Sequence, residues 1–446
     1  MGAAAIYVWR ADSIGRKAKG FMAMDDPEEA DTETGGIVDD RATISSRKDD
    51  HVRLAQKFAR EYPAGYQKEV YRELDGCEFI HRALPETSID EVDISTCVAG
   101  IAQPSPIFIN AMTGGTEATN KINMALAQAA SRTGIAMALG SMSILVKKPE
   151  VRDYYSELRE ANPRAKFIAN LGAEHTAKSA QLVADAVGAQ ALQIHVNAAQ
   201  EIVMPEGSRD FRGWLSNIRE ITAAMGGRKV PVPVIVKEVG FGMGRETVAA
   251  LHEAGVRYVD IAGKGGTNFI RIEDTRIREA ARGNCADATG KSSENTDDSG
   301  CAGTYCFGQD FSYLQGWGIS ALRSLVEARS VDGMDIIASG GVRNPLDTVK
   351  YLALGAQAVG LSGAFLSTVQ GGDTFAGSGG DSGIGIPVSD DAAARLTQFI
   401  EVWNSHISRI FTLLGARSIA NLQATAHMVY SQSLVEYCRQ RDIALP

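Results

Sequence analysis

Residues 335–363 read DIIASGGVRNPLDTVKYLALGAQAVGLSG, and this stretch decides the fold. An apolar run at 335–340 ends in glycine, a helical pattern follows, and a second apolar run at 358–362 precedes another glycine. Near-continuous apolar runs are typical of strands that are covered on both faces, as in parallel sheets. The stretch therefore predicts two parallel strands joined by a helix.

The same unit recurs along the chain from residue 106. Most of the apolar runs start about 25–40 residues apart, which is the length of a βα unit. Eight such units favour an α/β fold of the closed (β/α)8 TIM barrel type over a doubly wound sheet, which would need an early G-x-G-x-x-G turn. The predicted strands are 106–112, 135–141, 166–171, 191–197, 232–238, 258–263, 335–340 and 358–362.

Two segments fall outside this repeat. Residues 25–40 hold eight acidic residues and no basic one, so we predict that residues 1–43 are a disordered acidic extension. Residues 44–446 are predicted to form the barrel domain. A polar, low-complexity insert at about 283–310 separates the sixth predicted strand from the seventh.

Composition excludes several classes of protein. Hydrophobic residues make up 44% of the chain, which excludes a disordered protein, and the net charge of −9 argues against a nucleic-acid binder. The longest apolar runs fall short of the roughly 18–20 residues of a membrane span. Six cysteines without a C-x-x-C pair favour a reducing compartment, and we expect a cytoplasmic protein.

The fourth predicted strand carries the most informative polar residues. Gln193, His195 and Asn197 share one face, because side chains alternate along a strand, and Gln200 and Glu201 follow directly. Active sites of such barrels lie at the carboxyl ends of the strands. Three polar groups directed into a barrel are hard to explain as packing, so they predict a ligand site. Glu201 is suited to hold Mg2+ together with substrate phosphates.

Other strand ends extend this site. Lys237 ends the fifth strand, and a buried lysine needs an anionic partner, which a reduced flavin or a substrate carboxylate would supply. Asn170 ends the third strand, and a buried amide there needs a hydrogen-bond partner. Small residues at 111–115 and 140–141 would let a flat ring approach the backbone. Thr267, after the sixth strand, is able to hydrogen-bond a ligand.

The last two strands end in glycine turns. In barrels of this type the loops after strands seven and eight often bind a phosphate through backbone N–H groups. Gly340-Gly341, followed by Arg343, and Ser362-Gly363 fit such a site, although ordinary tight turns are the alternative. Arg47-Lys48 precedes a helical pattern and reads either as a solvated helix end or as a clamp for a diphosphate.

Taken together, these strings closely resemble the type 2 isopentenyl-diphosphate isomerases, flavoproteins of the FMN-dependent barrel superfamily. The resemblance runs from about Ser45 to the chain end, apart from the insert. It rests on RKDDH (47–51), NAMTGG (110–115), QIHVNAAQE (193–201), PVIVKEVGFGM (233–243), GGTNF (265–269), QGWGIS (315–320) and SGGVRN (339–344).

The resemblance implies a role for each matching residue. FMN contacts would come from Ala111, Met112, Thr113, Ser141, Asn170, Lys237 and Thr267, with its phosphate at Gly340, Gly341, Arg343, Ser362 and Gly363. Substrate contacts would come from Arg47, Lys48, His51, His195, Asn197 and Gln200, with Mg2+ on Glu201. Catalytic roles would fall to Gln200, Trp317 and Glu327.

It also implies a reaction. The family interconverts isopentenyl and dimethylallyl diphosphate, a 1,3-proton shift of isoprenoid biosynthesis, on FMN reduced by NAD(P)H, and suggests a homo-oligomer of four or more chains. Whether Gln200, Glu327 or the flavin moves each proton stays open. Two positions depart from the family pattern: GSMSIL at 140–145 lacks a glutamine found in the family's turn, and Lys264 adds a cation.

Two other functions remain alternatives. An FMN-barrel oxidase or dehydrogenase of 2-hydroxy acids would use a His–Arg pair after the later strands, whereas the histidine expected at this barrel mouth is His195, on the fourth strand. A non-catalytic sensor of phosphorylated ligands would not need Gln200, Glu201 and Lys237 together.

Overall fold

Eight parallel strands close into a barrel in the computed structural model of the chain, which describes residues 40–61, 73–112, 114, 116–289, 310–371, 388 and 391–445. Three short strands precede the barrel and one follows it. The strands are β1 (Glu78–Phe79), β2 (Thr96–Val98), β3 (Ile101–Gln103), β4 (Ile107–Ile109), β5 (Ala136–Ala138), β6 (Lys166–Gly172), β7 (Ala191–Val196), β8 (Val234–Glu238), β9 (Tyr258–Asp260), β10 (Asp335–Ser339), β11 (Ala358–Leu361) and β12 (Met428–Val429).

Strands β4 to β11 form the barrel in chain order, and β11 pairs with β4 to close it. Each lies within or overlaps one of the eight predicted runs, so the predicted TIM barrel is confirmed. The register pairs His195 of β7 with Gly172 on one side and with Lys237 on the other, and Lys237 pairs with Asp260. The polar strand ends therefore lie at one height around the mouth.

Helices follow the strands and cover the outside of the barrel. Their starts have local causes, as where the Asn344 side chain caps a helix that begins at Pro345. The helices are α1 (Asp40–Glu61), α2 (Glu117–Thr133), α3 (Ser143–Lys147), α4 (Arg152–Ala161), α5 (Ala177–Val187), α6 (Ala198–Val203), α7 (Trp214–Gly226), α8 (Arg245–Glu253), α9 (Phe269–Thr289), α10 (Ala321–Arg329), α11 (Pro345–Ala353), α12 (Gly363–Val369), α13 (Ala392–Leu413), α14 (Ile419–Thr425) and α15 (Gln432–Arg441).

The core has two parts because the two faces of each strand contact different partners. Leu192 and Ile194 of β7 are fully buried among residues of the surrounding helices. Inside the barrel, Phe108 and Ile235 pack with Val98 and Ala99 of the β2–β3 hairpin. This hairpin lies against the first residues of several barrel strands and so closes the amino-terminal end.

The predicted segments outside the repeat are only partly described. Helix α1 begins at Asp40, four residues before the predicted start of the barrel domain, and α9 extends through residues 283–289 of the predicted insert. Residues 1–39 and 290–309 lie outside the described residues. Within the described ranges, no helix is both long enough and apolar enough to span a membrane.

Candidate active site

A chain of hydrogen bonds crosses the barrel interior below the mouth. His195 Nδ1 lies 2.8 Å from Asn170 Oδ1, and the Asn170 amide donates to Gln193 at 3.1 Å. Gln193 in turn donates to Asn110 at 3.1 Å, and Asn110 donates to Asp260 at 2.7 Å. Burial lowers the pKa of His195 to about 4, so its ring is neutral at pH 7. The inward-facing polar residues therefore form one ordered network.

Lys237 finds its anionic partner within this network. Its Nζ lies 3.0 Å from Asp260 Oδ2 and donates to the carbonyl of Glu238 at 3.2 Å. Asp260 is fully buried and also accepts a hydrogen bond from Ser339. The anionic partner that the sequence predicts for Lys237 is thus present within the chain, because the next strand supplies the carboxylate of Asp260. Sequence reasoning missed Asp260, although an acid that ends an apolar strand was a signal.

A second buried carboxylate, Glu273 of α9, lies beside Gln200. Gln200 Nε2 donates to Glu273 Oε1 at 3.1 Å, and His51 Nε2 lies 2.7 Å from the same oxygen. Arg276 contacts the other oxygen. Burial alone would raise the pKa of Glu273, but the hydrogen bond from His51 and the charges of His51 and Arg276 lower it overall. Glu273 is therefore held as a carboxylate.

Glu273 was not among the predicted residues. It directly follows Ile272 on a helix whose buried face includes Ile270 and Ile272, and a fully buried acid on such a face is itself a signal. The predicted residues Gln200 and His51 meet at this carboxylate. The structure therefore adds Glu273 to the site and gives His51 a partner.

Glu201 lies at the mouth next to Asn197. The Asn197 amide donates to Glu201 Oε1 at 2.9 Å, and the backbone N–H of Ser208 donates to Oε2 at 2.8 Å. Asn197 also lies 3.4 Å from Gln200 Oε1. In the part of the chain that the structure describes, no group of three or more His, Cys, Asp or Glu side chains is arranged to hold a metal ion. Glu201 thus offers a single carboxylate.

Helix α1 brings two cations to the mouth. Lys48 Nζ donates to the carbonyl of Gly114, just after β4, and Arg47 lies 3.6 Å from Glu206 and 3.8 Å from the Met204 sulfur. Burial is the main cause that lowers the pKa of Lys48 to about 8, and the charge of Arg47 adds to it. The predicted pair therefore lies over the barrel rather than on a solvated helix end.

A second histidine also lies at the mouth. His175, after β6, lies 2.8 Å from the Ser143 hydroxyl and 3.3 Å from the Glu174 carboxylate. Ser143 in turn lies 2.9 Å from the hydroxyl of Ser141, a predicted flavin contact. The expectation that His195 is the histidine of the mouth is corrected, because the turn after β6 places His175 beside the loop that follows β5.

A cavity of about 430 Å³ opens beside the turns that follow β9 and β10. Its lining includes Thr267, Gly340, Gly341 and Arg343. Gly340 and Gly341 have φ angles of 95° and 72°, and a Cβ at Gly340 would lie 2.4 Å from the carbonyl oxygen of Gly263. Only glycine fits so close to the neighbouring turn.

The remaining predicted flavin contacts border the mouth. Ser362 precedes α12, and a Cβ added to Gly363 would meet nothing within 4 Å, so space opens at the start of that helix. Ala111 and Met112 are half-buried after β4. Thr113 lies outside the described residues.

The structure directs Glu327 away from this site, whereas Trp317 lies between two residues that line the cavity, Gly316 and Gly318. Glu327 of α10 is fully buried, but it accepts hydrogen bonds from Tyr437 at 2.6 Å and Arg441 at 2.7 Å, both on α15. Its prediction as a residue of the reaction site is wrong, because α10 packs outside the barrel and directs this carboxylate toward α15. Trp317 is 61% exposed on the loop before α10.

The barrel resembles solved structures at the level of the fold. A putative lactate oxidase of Pediococcus acidilactici has a TM-score of 0.55 at 13% identity and is matched over 91% of this chain and 98% of that one. A soluble mutant of the membrane-associated (S)-mandelate dehydrogenase from Pseudomonas putida has a TM-score of 0.52 at 17% identity, over 86% of this chain and 99% of that one. No model of a protein family matches the chain.

The barrel, its buried ion pair and the cluster around Glu273 define a TIM-barrel protein with a polar site at the carboxyl ends of its strands. Similar proteins of known name identify the family within this class. The isopentenyl-diphosphate delta-isomerase of Latilactobacillus sakei is 41% identical over 403 residues, 90% of this chain and 97% of that one. Those of Nocardia farcinica and Streptomyces sp. (strain CL190) are 39% and 38% identical, each over 90% of this chain and 94% of the relative. The chain belongs to the isopentenyl-diphosphate delta-isomerase family, in its type 2 form.

Proposed function

We propose that the protein interconverts isopentenyl and dimethylallyl diphosphate by a 1,3-allylic proton shift, in isoprenoid biosynthesis, with FMN, Mg2+ and NADPH as cofactors. The observation that carries the proposal is the buried Gln200–Glu273 pair beside Glu201, in a chain of this family. The pair joins an ionised carboxylate to an amide that positions it. Glu201 lies on the same short helix as Gln200, α6.

The donor set fits FMN. Lys237 offers a buried ammonium, two of whose three N–H groups contact Asp260 and the Glu238 carbonyl. Asn170, Ser141 and Thr267 add polar groups at neighbouring strand ends, and the glycine turns with Arg343 suit its phosphate. When bound, reduced FMN would supply an electron-rich ring beside the alkene, where positive charge develops during the proton shift. NADPH is proposed as the reductant.

The diphosphate and Mg2+ would lie at the mouth. Mg2+ usually takes one or two carboxylates together with substrate phosphates, which matches the single carboxylate of Glu201. Lys48 and Arg47 offer positive charge for the remaining phosphate oxygens. Asn197 holds Glu201 in place through its 2.9 Å hydrogen bond. This arrangement anchors the polar end of the substrate and leaves the deeper part of the mouth to the hydrocarbon chain.

Glu273, and not the predicted Glu327, takes the catalytic role. An amide cannot exchange protons readily at neutral pH, whereas a carboxylate can accept or return one. Glu273, ionised by His51 and Arg276, also stabilises positive charge that develops on a tertiary carbon. Gln200 positions the carboxylate by donating to the oxygen that His51 also contacts. His51 thus acts on the carboxylate as a positioning residue.

One assay tests the proposal against both alternatives. Purified protein is loaded with FMN, reduced with NADPH under anaerobic conditions and given isopentenyl diphosphate and Mg2+ in D2O, and the product is followed by NMR. We expect dimethylallyl diphosphate that carries deuterium. Protein that binds no flavin, or that is inert here but oxidises a 2-hydroxy acid, would overturn the proposal. Binding of isopentenyl diphosphate without turnover would favour the sensor.

The same proposal covers assembly and location. We propose a cytoplasmic homo-oligomer of four or more chains, on the basis of the family resemblance and of cysteine usage without a C-x-x-C pair. Light scattering coupled to size-exclusion chromatography measures the mass of the assembly. A mass equal to one chain of 47.6 kDa would contradict the assembly.

A further inference from the structure

The loop that carries Trp317 forms one wall of the cavity beside β9 and β10. Residues 315–320, which we call the Trp317 loop, contribute Gln315, Gly316, Gly318, Ile319 and Ser320 to the lining of this cavity. Thr267 and the glycine turn at 340–341, which are predicted flavin contacts, line the same cavity. The position of the loop therefore sets the size of the space that a ligand would occupy.

Both ends of the Trp317 loop are bonded to the barrel. At its start, the Asn268 amide donates to the carbonyl of Gln315 at 2.8 Å. Near its end, the backbone N–H of Ile319 donates to the carbonyl of Phe241 at 2.9 Å. The backbone N–H of Lys264 donates to the carbonyl of Ile319, also at 2.9 Å. The two ends are therefore held by the segments that follow β8 and β9.

The middle of the loop has little packing of its own. Trp317 is 61% exposed, and a Cβ added to Gly316 would meet nothing within 4 Å. The side chain of Lys264 reaches this point, and its Nζ donates to the Gly316 carbonyl at 2.9 Å. Hydrogen bonds from an ammonium group are stronger than those between neutral groups. Lys264 thus joins the middle of the loop to the segment after β9.

Lys264 is also a position at which the sequence departs from the family pattern. We propose that Lys264 is a positioning residue that fixes the Trp317 loop against the cavity and so retains the flavin bound there. The inference rests on the proposed function, because the ligand that it assigns to the cavity is the FMN of that function. The action of Lys264 is indirect, since its ammonium contacts the backbone of the loop, and the loop in turn limits how easily a ligand leaves.

Hydrogen exchange of the full-length protein as purified, followed by mass spectrometry, measures the loop directly. Lys264→Met keeps the length of the side chain but removes the donor. In this variant we expect the backbone N–H groups of residues 314–320 to exchange about tenfold faster, because a hydrogen bond from a charged group is lost. Lys264→Arg keeps a charged donor and should restore most of the protection. Unchanged exchange in Lys264→Met would overturn the positioning role.

Flavin binding separates this role from a direct contact between Lys264 and the FMN phosphate. Riboflavin lacks the phosphate, and flavin fluorescence gives the Kd of both ligands. In Lys264→Met we expect the Kd of FMN and the Kd of riboflavin to rise by similar factors of about five- to tenfold, since the same wall is loosened for both. A higher Kd for FMN alone would show a phosphate contact and would overturn the positioning role.

Lys166→Met is the matched control. Lys166, the first residue of β6, donates through Nζ to the carbonyls of Ala102 and Gly134 at 2.7 and 2.9 Å, at the amino-terminal end of the barrel. The control thus removes the same kind of contact at the end opposite the mouth. It should leave both flavin Kd values and the exchange of the Trp317 loop unchanged. If Lys264→Met behaves like this control, the inference is wrong.

A second variant tests the loop without changing Lys264. Asn268→Asp keeps the side-chain oxygen that accepts from the backbone N–H of Arg271 at 3.1 Å, but removes the amide that donates to Gln315. We expect faster exchange at the start of the loop and a higher Kd for both flavins. A loosened loop with unchanged flavin binding, in this variant and in Lys264→Met, would overturn the link between the loop and the flavin.

These measurements separate the inference from the proposed function. If Lys264→Met loosens the loop and weakens both flavins, but the original protein does not isomerise isopentenyl diphosphate, the isomerase is wrong and the positioning role stands. If the original protein isomerises this substrate and Lys264→Met binds both flavins normally, the positioning role alone is wrong. Original protein that binds neither flavin would overturn the inference together with the proposed cofactor.

Discussion

Replacing Asp260 with asparagine tests the polar interior of the barrel most directly. Asp260 is fully buried, and Lys237, 3.0 Å away, is 8% exposed. Asparagine keeps the shape of the side chain but leaves the Lys237 ammonium without its counter-charge. Removing one partner of a buried ion pair typically costs about 3–5 kcal/mol. We expect Asp260→Asn to lower the free energy of unfolding by about this amount.

Urea unfolding followed by circular dichroism, on protein without flavin, measures this loss. Asp335→Asn is the matched control, because Asp335 on the adjacent strand β10 pairs with Arg257 at 2.6 Å in a largely exposed bridge. Exposed pairs contribute about 0–1 kcal/mol, so the control should lose no more than that. Equal losses in the two variants would refute the buried pair. Adding Lys237→Met to Asp260→Asn should recover part of the loss, because no unpaired charge stays buried.

Four further predictions address single residues. Glu273→Gln should lower kcat by at least about 100-fold, because an acid–base group is lost, and the amount of bound FMN should stay unchanged. Glu279→Gln, at a half-buried position of the same helix, is the control and should leave kcat unchanged. A normal kcat in Glu273→Gln would contradict the catalytic role. Lys48, with a pKa of about 8, is mostly protonated at pH 7 and mostly neutral at pH 9. Pyrophosphate binding should therefore weaken about tenfold between pH 7 and pH 9. Lys48→Arg should remove this component of the pH dependence, because arginine stays charged over that range. Glu327→Gln should lower the midpoint of urea unfolding and leave kcat within about twofold, because its contacts are with α15; a large loss of kcat would restore its predicted role. Glu201→Ala should raise the Mg2+ concentration needed for half-maximal activity, and an unchanged titration would remove Glu201 from the metal site.

The barrel was predictable because its strands are buried on both faces. Such strands need apolar residues at nearly every position, so eight short runs stand out from the helices between them. The polar face of β7 was predictable for a related reason, since alternation alone places Gln193, His195 and Asn197 together. Local sequence patterns thus predicted the barrel and the polar residues that β7 contributes to the site.

Residues whose roles depend on distant neighbours were not predictable in this way. Asp260 matters because the register places it beside Lys237, and Glu273 matters because α1 brings His51 onto α9. Each of these contacts joins residues that are far apart in the chain, so no single stretch of sequence predicts it. The prediction for Glu327 was wrong for the converse reason. Glu327 is close to the QGWGIS string along the chain, but its helix directs the side chain away from the mouth, toward Tyr437 and Arg441.

The β2–β3 hairpin closes the amino-terminal end of the barrel and leaves the mouth, at the carboxyl ends of the strands, as the end where ligands are expected to bind. Val98 and Ala99 are buried against the interior residues at the amino-terminal end, so in the described part of the chain that end is filled and the polar strand ends face the mouth. A flavin seated among the strand ends would then lie beneath any diphosphate held by Lys48 and Glu201. Occupied substrate sites should therefore retain the flavin, and its rate of loss should fall as substrate concentration rises.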